Sequence, residues 1–405
     1  MTIVSTPRGL PVTTGSSALA LALHHFEEQV LDYGQDAAAL FDALPLDPDC
    51  ALASAYAAAL HLFRATREGH ARAWPLAAAA SGLSAESVRE RSLVATIGRW
   101  ATGDLVGAIE VLAGWVAAEP TDLFAAKLHQ QLLFSRGGAG SMLCAIRPVA
   151  LAAPGDARVL GMLAFALDQT GRHAEAERTA RRALELAPDP WAHHALAHVM
   201  DAEGRHAEGC MWMSDHSDAW ANCTSFLYTH NWWHAALFHL GVGDRDGALA
   251  LYHERVWAVR KHYVQDQVNA VSLLARLEFA GVDVGDRWEE VSQYVSPRRT
   301  DAIDGFLDLH YAYALARAGD DVGVRDLLNA KAAACDGSRA RDVGLAAAEG
   351  VAAFAFGDRT LAARKLAPVA ADLTLLGGST VQRRLFTDIL ASARGSGGHA
   401  LGMAA

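Results

Sequence analysis

The sequence predicts an all-α protein, a tetratricopeptide-like α-solenoid of about ten helix-turn-helix repeats wound into a right-handed superhelix. Three observations predict this fold. Glycines recur at a nearly constant spacing, amphipathic alanine-rich stretches fill the intervals, and alternating β-branched runs are missing. Because each repeat buries its apolar stripe against its neighbours, a chain of 405 residues can form one continuous stack.

The marker glycines follow one another along most of the chain. They are Gly34, Gly69, Gly103, Gly137, Gly171, Gly204, Gly243, Gly281, Gly319 and Gly357. Their spacing is 33 to 35 residues as far as Gly204 and 38 or 39 residues after it. Glycine takes the left-handed conformation that ends a helix without steric cost, and a tetratricopeptide unit has about 34 residues. Each marker is therefore predicted to separate a helix A from a helix B.

The clearest unit reads VLGMLAFALDQTGRHAEAERTARRALELAPDP, in which Gly171 lies between two amphipathic stretches and Pro188 closes the second. From this organisation we expect one solenoid domain over residues 16–395. Residues 1–15 and 396–405 lack the pattern, so we expect a flexible segment at each end.

Composition and charge limit the classes of partner. The net charge of −11 is spread along the chain without a basic block, which argues against nucleic acid and anionic membranes as partners. Five cysteines without a CxxC pair argue against a disulfide framework. No apolar run is long enough for a membrane span, and the first residues do not read as a secretory signal. A cytoplasmic location is therefore expected.

Two consecutive A helices carry a cluster of histidines. The first reads WAHHALAHVMDAEG and the second HNWWHAALFHLGVG. His194 and His198 are four residues apart, as are His230 and His234, so each pair shares one helix face. Trp191, Asp201 and Trp233 extend the two stripes. A polar and aromatic stripe of this kind is typical of a pocket lining more than of a helix core.

A later A helix, GFLDLHYAYALARAGD, adds Asp308, His310 and Tyr313. If the superhelix closes on itself, these side chains could face the histidine cluster.

The quoted segments, with VQRRLFTDILASA near the end, resemble the tetratricopeptide repeat protein 38 family in its bacterial form. The resemblance covers nearly the whole chain and is most specific at HHALAHV and HNWWHAALFHL. It implies that helix A lines a concave groove. The polar positions that match the family are His194, His198, His230, Trp233, His234, Asp308, His310 and Gln382. The family often has a glutamate where this chain has Asp201 or Ala202, so the position of the carboxylate differs.

The residues allow an enzyme or small-molecule site in the groove. Imidazoles and carboxylates would act as general acid and base in a hydrolysis, an elimination or a cyclisation. The catalytic candidates are His194, His198, His230, His234, Asp201, Asp308 and His310. Trp191, Trp233, Tyr313 and Gln382 would bind the substrate. No Gly-rich phosphate loop, GxSxG elbow or nicotinamide fingerprint is present, which disfavours nucleotide chemistry, and the HExxH motif is absent too.

Two alternatives stay open. The paired histidines are compatible with a divalent metal ion, although the spacing alone assigns no ligand and no cofactor. The chain could instead be a scaffold that binds a protein partner through its groove, and the sequence also allows a homodimer.

Overall fold

The computed structural model describes residues 3–395, and most of them are helical. The predicted tail over 396–405 lies outside the described residues. The first ten helices are α1 (Ser17–Leu31), α2 (Leu40–Ala43), α3 (Ala51–Leu62), α4 (Arg67–Gly82), α5 (Val88–Ala101), α6 (Leu105–Ala118), α7 (Leu123–Ser135), α8 (Ala139–Ala152), α9 (Ala157–Gln169) and α10 (His173–Leu186). The others are α11 (Pro190–Ala202), α12 (His206–Asp215), α13 (Ser225–Gly241), α14 (Arg245–Leu251), α15 (Val264–Phe279), α16 (Arg287–Val295), α17 (Gly305–Arg317), α18 (Asp321–Ala333), α19 (Arg339–Ala355), α20 (Arg359–Leu366) and α21 (Thr380–Ala393).

Nine helix pairs stack in chain order from α3/α4 to α19/α20. The odd-numbered member of each pair is the helix A of the sequence pattern. This arrangement confirms the all-α, tetratricopeptide-like solenoid. Within residues 3–395 no helix is both long and apolar enough to cross a membrane.

Eight of the ten marker glycines have the predicted left-handed backbone between helix A and helix B. They are Gly103, Gly137, Gly171, Gly204, Gly243, Gly281, Gly319 and Gly357. The prediction was wrong for the first two. Gly69 lies inside the first turn of α4, and Gly34 lies in the turn after α1 without a positive φ. The residue between α3 and α4 that does take the left-handed backbone is Ala65, at φ 48°.

The helix before the stack, α1, lies across the inner face of the first A helices. Its Glu27 carboxylate accepts hydrogen bonds from Tyr56 of α3 and from Arg89 of α5, both at 2.6 Å. Arg89 also donates to Asp122, the residue that caps α7, at 2.8 Å. Further along, Arg158 of α9 pairs with Asp32 at 2.6 Å. Since α1 contacts four successive A helices, it fills this part of the concave groove.

The last helix, α21, covers the inner face from the other end. The amide of Thr380 donates to Gln169 of α9 at 3.2 Å, and Arg384 pairs with Asp201 of α11 at 2.9 Å. Phe386 packs on His310 of α17 with ring centres 5.1 Å apart. The concave groove that the family resemblance implies is therefore occupied by the chain's own terminal helices.

One turn of the stack brings distant repeats into contact. Gln265 of α15 donates to the carbonyl of Phe63, which follows α3, at 3.3 Å. The backbone amide of Arg67 donates to the carboxylate of Asp301 at 3.2 Å, across 234 residues of chain. These contacts close the superhelix on itself.

The segment over 1–15, expected to be flexible, contains an antiparallel hairpin of β1 (Ile3–Ser5) and β2 (Pro11–Thr13). The amide of Thr13 donates to Glu90 at 2.6 Å, and the Thr14 hydroxyl donates to Asp47 at 2.6 Å. The flexibility itself stays a prediction, and these bonds give the second strand fixed partners in the helical body.

The closure can be tested at two repeat glycines that share a backbone conformation. Gly137, at φ +69°, lies where an added Cβ would collide with the carbonyl oxygen of Thr374, whereas Gly171, at φ +75°, faces open space. Both alanine variants carry backbone strain of about 1–2 kcal/mol. We expect Gly137→Ala to lower the free energy of unfolding clearly more than Gly171→Ala in urea denaturation. Equal losses would show that the contact with the segment around Thr374 contributes nothing.

Candidate metal centre

The histidine cluster lies on α11 and α13, two consecutive A helices. Helix α11 begins at Pro190, a residue suited to the first helical position, and Asp189 caps it by accepting the amide of Trp191 at 3.0 Å. The amide of Thr224, just before α13, donates to the carbonyl of Tyr33 at 2.6 Å. The start of each helix is thus fixed before its histidine pair.

The four histidines meet on the inner face between these helices. Each of His194, His198, His230 and His234 offers a ring nitrogen, and these atoms all lie within 4.8 Å of one another. The Nε2 atoms of His194 and His198 are 3.1 Å apart. Within residues 3–395 this is the one group of three or more His, Cys, Asp or Glu side chains so arranged. The prediction that the two pairs share one place in the fold agrees with this geometry.

All four rings are buried, with exposed fractions between 0% and 3%. Burial, with repulsion between neighbouring imidazoles, holds the pKa values of His194, His198 and His234 well below the usual range. Burial lowers the pKa of His230 to about 4, against the opposing effect of its hydrogen bond to Asn269. At neutral pH the cluster therefore presents four neutral rings with lone pairs.

Asp168 of α9 lies beside His198. Its Oδ2 lies 3.3 Å from Nδ1 of His198, and its Oδ1 lies 3.2 Å from Nδ1 of His173. Gln169 donates to the same carboxylate at 2.7 Å, and its Nε2 lies 3.5 Å from Nδ1 of His198. Burial raises the pKa of Asp168 to about 6. The carboxylate favours a proton on Nδ1 of His198 and the amide favours a lone pair there, so these contacts position the ring without fixing its tautomer.

Asn269 of α15 orients His230. Nδ1 of His230 donates to Oδ1 of Asn269 at 2.9 Å, the Asn269 amide donates to the Thr229 hydroxyl at 3.0 Å, and that hydroxyl donates to Asp266 at 3.1 Å. The directions of these three hydrogen bonds follow from the last acceptor in the series, the carboxyl group of Asp266. The proton of His230 is then on Nδ1, and its Nε2 lone pair is available to the cluster.

Aromatic rings surround the imidazoles. Trp191 packs on His194 with ring centres 4.3 Å apart, and Trp233 stacks on His230 at 5.1 Å with an interplanar angle of 8°. Phe165 and Phe226 contact the cluster from α9 and α13. The two tryptophans predicted to form pocket walls thus lie against the histidines, and they exclude water from them.

Two predicted members have other partners. Asp308 forms an ion pair with Lys331 of α18 at 2.7 Å. Nδ1 of His310 donates to the carbonyl of Phe306 at 2.9 Å, and the ring packs between Phe306 and Phe386. Across residues 3–395, neither side chain has a hydrogen bond or ring contact to the four histidines. The closed superhelix does not bring them into the cluster, because α15 lies between α13 and α17 in the stack.

The remaining candidates are also engaged elsewhere. Asp201 pairs with Arg384 of α21. Gln382 closes the capping box at the start of α21, where its side chain accepts the amide of Ser379 at 2.8 Å. Tyr313 packs on Trp288 with ring centres 5.4 Å apart. These three side chains therefore stabilise α21 or the helix stack, and they do not line a pocket.

Sequence analysis missed the two residues that orient the histidines. Asp168 stands three residues before Gly171, as Asp201 stands three before Gly204, so the repeat register contained a signal for it. No comparable pattern marks Asn269, since its role depends on the packing of α15 against α13.

The arrangement fits a transition-metal ion. Two imidazole nitrogens bound to one tetrahedral ion at about 2.0 Å lie about 3.3 Å apart. The observed separation of 3.1 Å between His194 and His198 is close to this value. The widest ligand pair, at 4.8 Å, would have to move inward on binding. Neutral imidazoles suit zinc, copper, iron and nickel.

No protein-family model matches the chain. Among solved structures, the chain is similar to the APC/C hetero-tetramer Cut9–Hcn1, at 13% identity over 92% of this chain and 67% of that chain, with a TM-score of 0.41. It is also similar to the human IFIT1 dimer with m7Gppp-AAAA, at 15% identity over 93% and 92% of the two chains, with a TM-score of 0.41. The TPR domain of P58(IPK) matches at 12% identity over 76% and 98%, with a TM-score of 0.22.

These similarities carry no function to this chain. The class is defined by the nine helix pairs themselves, which form a tetratricopeptide-like helical repeat protein. Its inner face is closed by its own terminal helices and holds a cluster of four histidines.

The stability of the metal-free protein should depend on pH through this cluster. Because the folded pKa values lie below the unfolded value of about 6.5, the unfolded state binds more protons in acid. The free energy of unfolding should therefore fall as the pH drops from about 6.5 towards 4. His234 has no hydrogen-bond partner at either ring nitrogen among the described residues. His234→Leu should thus give a shallower fall in denaturation curves across this range, and an unchanged slope would contradict the assignment.

Proposed function

We propose that this chain is a metalloprotein that holds one divalent transition-metal ion between α11 and α13. His194, His198, His230 and His234 are its ligands. The observation that carries the proposal is the convergence of four buried, neutral imidazoles, of which His230 donates from Nδ1 to Asn269 and His198 has Asp168 3.3 Å from Nδ1. Metal-bound histidines almost always have such a partner on the second ring nitrogen.

A metal also answers the energetic problem of the cluster. Both ring nitrogens of His234 and Nδ1 of His194 are buried without a hydrogen-bond partner in the described part of the chain. A buried polar atom without a partner costs about 1–3 kcal/mol. A shared ion would pair with one nitrogen of each ring, and it would therefore give a partner to one of the two nitrogens of His234. Nδ1 of His194 would stay unpartnered, because Nε2 is the nitrogen of that ring that faces His198.

The low pKa values favour ligands over acid–base catalysts. A general acid must carry a proton near the working pH, and burial removes that proton from all four rings. We therefore place the chemistry of the site on the ion, with the imidazoles as its donors.

The filled inner face argues against an open groove as the binding surface. A peptide or small molecule lying along the A helices would have to displace α1 or α21. Displacing α1 would break the Glu27–Arg89–Asp122 network, in which all three side chains are at most 1% exposed. A scaffold that binds partners through the groove is accordingly the less favoured function.

We also propose membership of the tetratricopeptide repeat protein 38 family. The two segments that carry the resemblance most specifically are the two that provide the four ligands.

Metal analysis tests the proposal directly. Protein purified without chelators or added metal should contain close to one equivalent of a transition metal by elemental analysis, and added metal should raise its melting temperature. His198→Ala and His230→Ala should lose the metal, because each removes an oriented ligand. His129→Ala is the matched control, since His129 is a buried histidine on another A helix, α7, outside the cluster. A wild-type protein that takes up no zinc, copper, iron or nickel would refute the metal centre.

The orienting amide provides a finer test. Asn269→Leu should weaken metal affinity by about 10- to 100-fold, because His230 loses the acceptor that fixes its proton. Gln267→Leu is the control, since Gln267 is an equally buried amide on α15 that donates to the carbonyls of Lys261 and Tyr294 instead. Titration with zinc against a competing chelator measures both. Equal losses in the two variants would mean that the amide acts only through stability.

A further inference from the structure

We propose that the metal ion enters and leaves the cluster beside His198, along His173 and Asp168. This route rests on the proposed metal centre and extends it by assigning the way in from solvent. All four ligands are buried, so a cation can reach them at low cost only where the protein offers it donors along the way.

His198 is the ligand with the shortest polar connection to solvent among residues 3–395. Its Nδ1 lies 3.3 Å from Oδ2 of Asp168, and Oδ1 of that carboxyl group lies 3.2 Å from Nδ1 of His173. The His173 side chain is 33% exposed, whereas that of Asp168 is 5% exposed. One buried carboxyl group therefore separates a ligand from an imidazole that solvent reaches.

The other three ligands have no comparable connection in the described part of the chain. At His230 the polar contacts continue through three buried side chains of α13 and α15. The polar contact of His194 is to His198, and both ring nitrogens of His234 are without a partner. An ion approaching these rings would have to cross packed side chains without a donor at hand.

His173 is suited to receive a cation from solvent. Its Nδ1 faces the Asp168 carboxyl group, and its Nε2 has no hydrogen-bond partner among the described residues. A carboxyl group beside Nδ1 favours the proton there, which leaves the Nε2 lone pair free. Metal-binding histidines have this combination of one partnered nitrogen and one open lone pair.

Arg384 of the covering helix α21 lies at the same edge. Its side chain is 41% exposed and pairs with Asp201, which follows His198 by one helical turn on α11. Burial lowers the pKa of His198, and the charges of His230, Arg384 and His173 lower it further, so Arg384 and His173 both lie near that ring. A guanidinium there repels an incoming cation. When this exposed side chain moves into solvent, the Asp201 carboxylate is left to attract the ion.

A route has a kinetic signature that differs from that of a ligand. Residues of a route touch the ion in transit and not in the bound state. Removing one therefore changes the rates of uptake and release by the same factor and leaves the affinity unchanged. Removing a ligand weakens the affinity itself.

The test is stopped-flow uptake of Co²⁺ by the metal-free protein, followed by the visible absorption of the bound ion, with release measured in excess EDTA. His173→Leu should slow both processes by about tenfold. Its affinity in an equilibrium titration should stay near that of the wild type. His173→Cys keeps a metal-binding side chain and should restore most of the rate. His239→Leu is the matched control, because His239 is 31% exposed and pairs with Asp244 at 2.7 Å, outside the cluster.

Arg384→Gln should instead speed uptake several-fold, because it removes the positive charge at the entrance. Arg383→Gln is its control. Arg383 also holds the start of α21, through the carbonyls of Gly377 and Gly378, but it is not among the charged groups that act on His198. Equal acceleration in both variants would mean that loosening of α21 controls entry, and it would overturn the route.

The outcomes separate the route from the metal centre. A His173→Leu protein that takes up and releases Co²⁺ as fast as the wild type overturns the route and leaves the metal centre standing. A weaker affinity with an unchanged uptake rate also overturns it, since His173 would then act on the bound ion. A wild-type protein that binds neither Co²⁺ nor any other transition metal overturns both.

Discussion

The protein depends on one constraint: the inner face of its helix stack has to be covered. A stack of A and B helices leaves one side of every A helix without a neighbour from the stack. In this chain the residues on that side are of types that are usually buried. Helix α1 covers the first half through the Glu27–Arg89–Asp122 network, and α21 covers the second through Arg384, Thr380 and Phe386. Contacts of Arg67 with Asp301 complete the closure. Water is thereby excluded from the interior, and this exclusion shifts the pKa values of the titratable side chains that lie there.

The histidine cluster shows what this exclusion achieves. In an open groove the four imidazoles would be solvated and free to take up protons. Behind α21 and the aromatic rings they stay neutral, and Asn269 holds the proton of His230 on Nδ1, which directs its Nε2 inward. Burial of the four imidazoles costs free energy when no ion is present. The same burial keeps the rings neutral, so that they can donate lone pairs to a metal ion.

Much of this could be expected from the residues. The glycine spacing predicts the helix pairs because a glycine with positive φ is a local requirement of every A–B turn, and it holds at eight of the ten markers. It fails at Gly34, which follows α1 ahead of the stack, and at Gly69, which lies in the first turn of α4 while Ala65 takes the left-handed backbone. The i, i+4 spacing of His194 and His198, and of His230 and His234, predicts two shared faces, and the repeat register places them on neighbouring helices. The expectation that Asp308 and His310 face the cluster depended on closure of the superhelix and on the family resemblance, and α15 separates α17 from α13.

The sequence by itself therefore determined the repeat, the alternation of helices and the facing of the two histidine pairs, because these follow from periodicities of a few residues or one repeat. Tertiary structure alone decided that the groove is filled, that the cluster is buried and neutral, and which side chains orient it. Those features arise from pairings such as Thr380 with Gln169 and Gln265 with Phe63, which join positions about 200 residues apart. Contacts of that kind leave no periodic trace in a chain, since each occurs once and depends on how the whole stack curves.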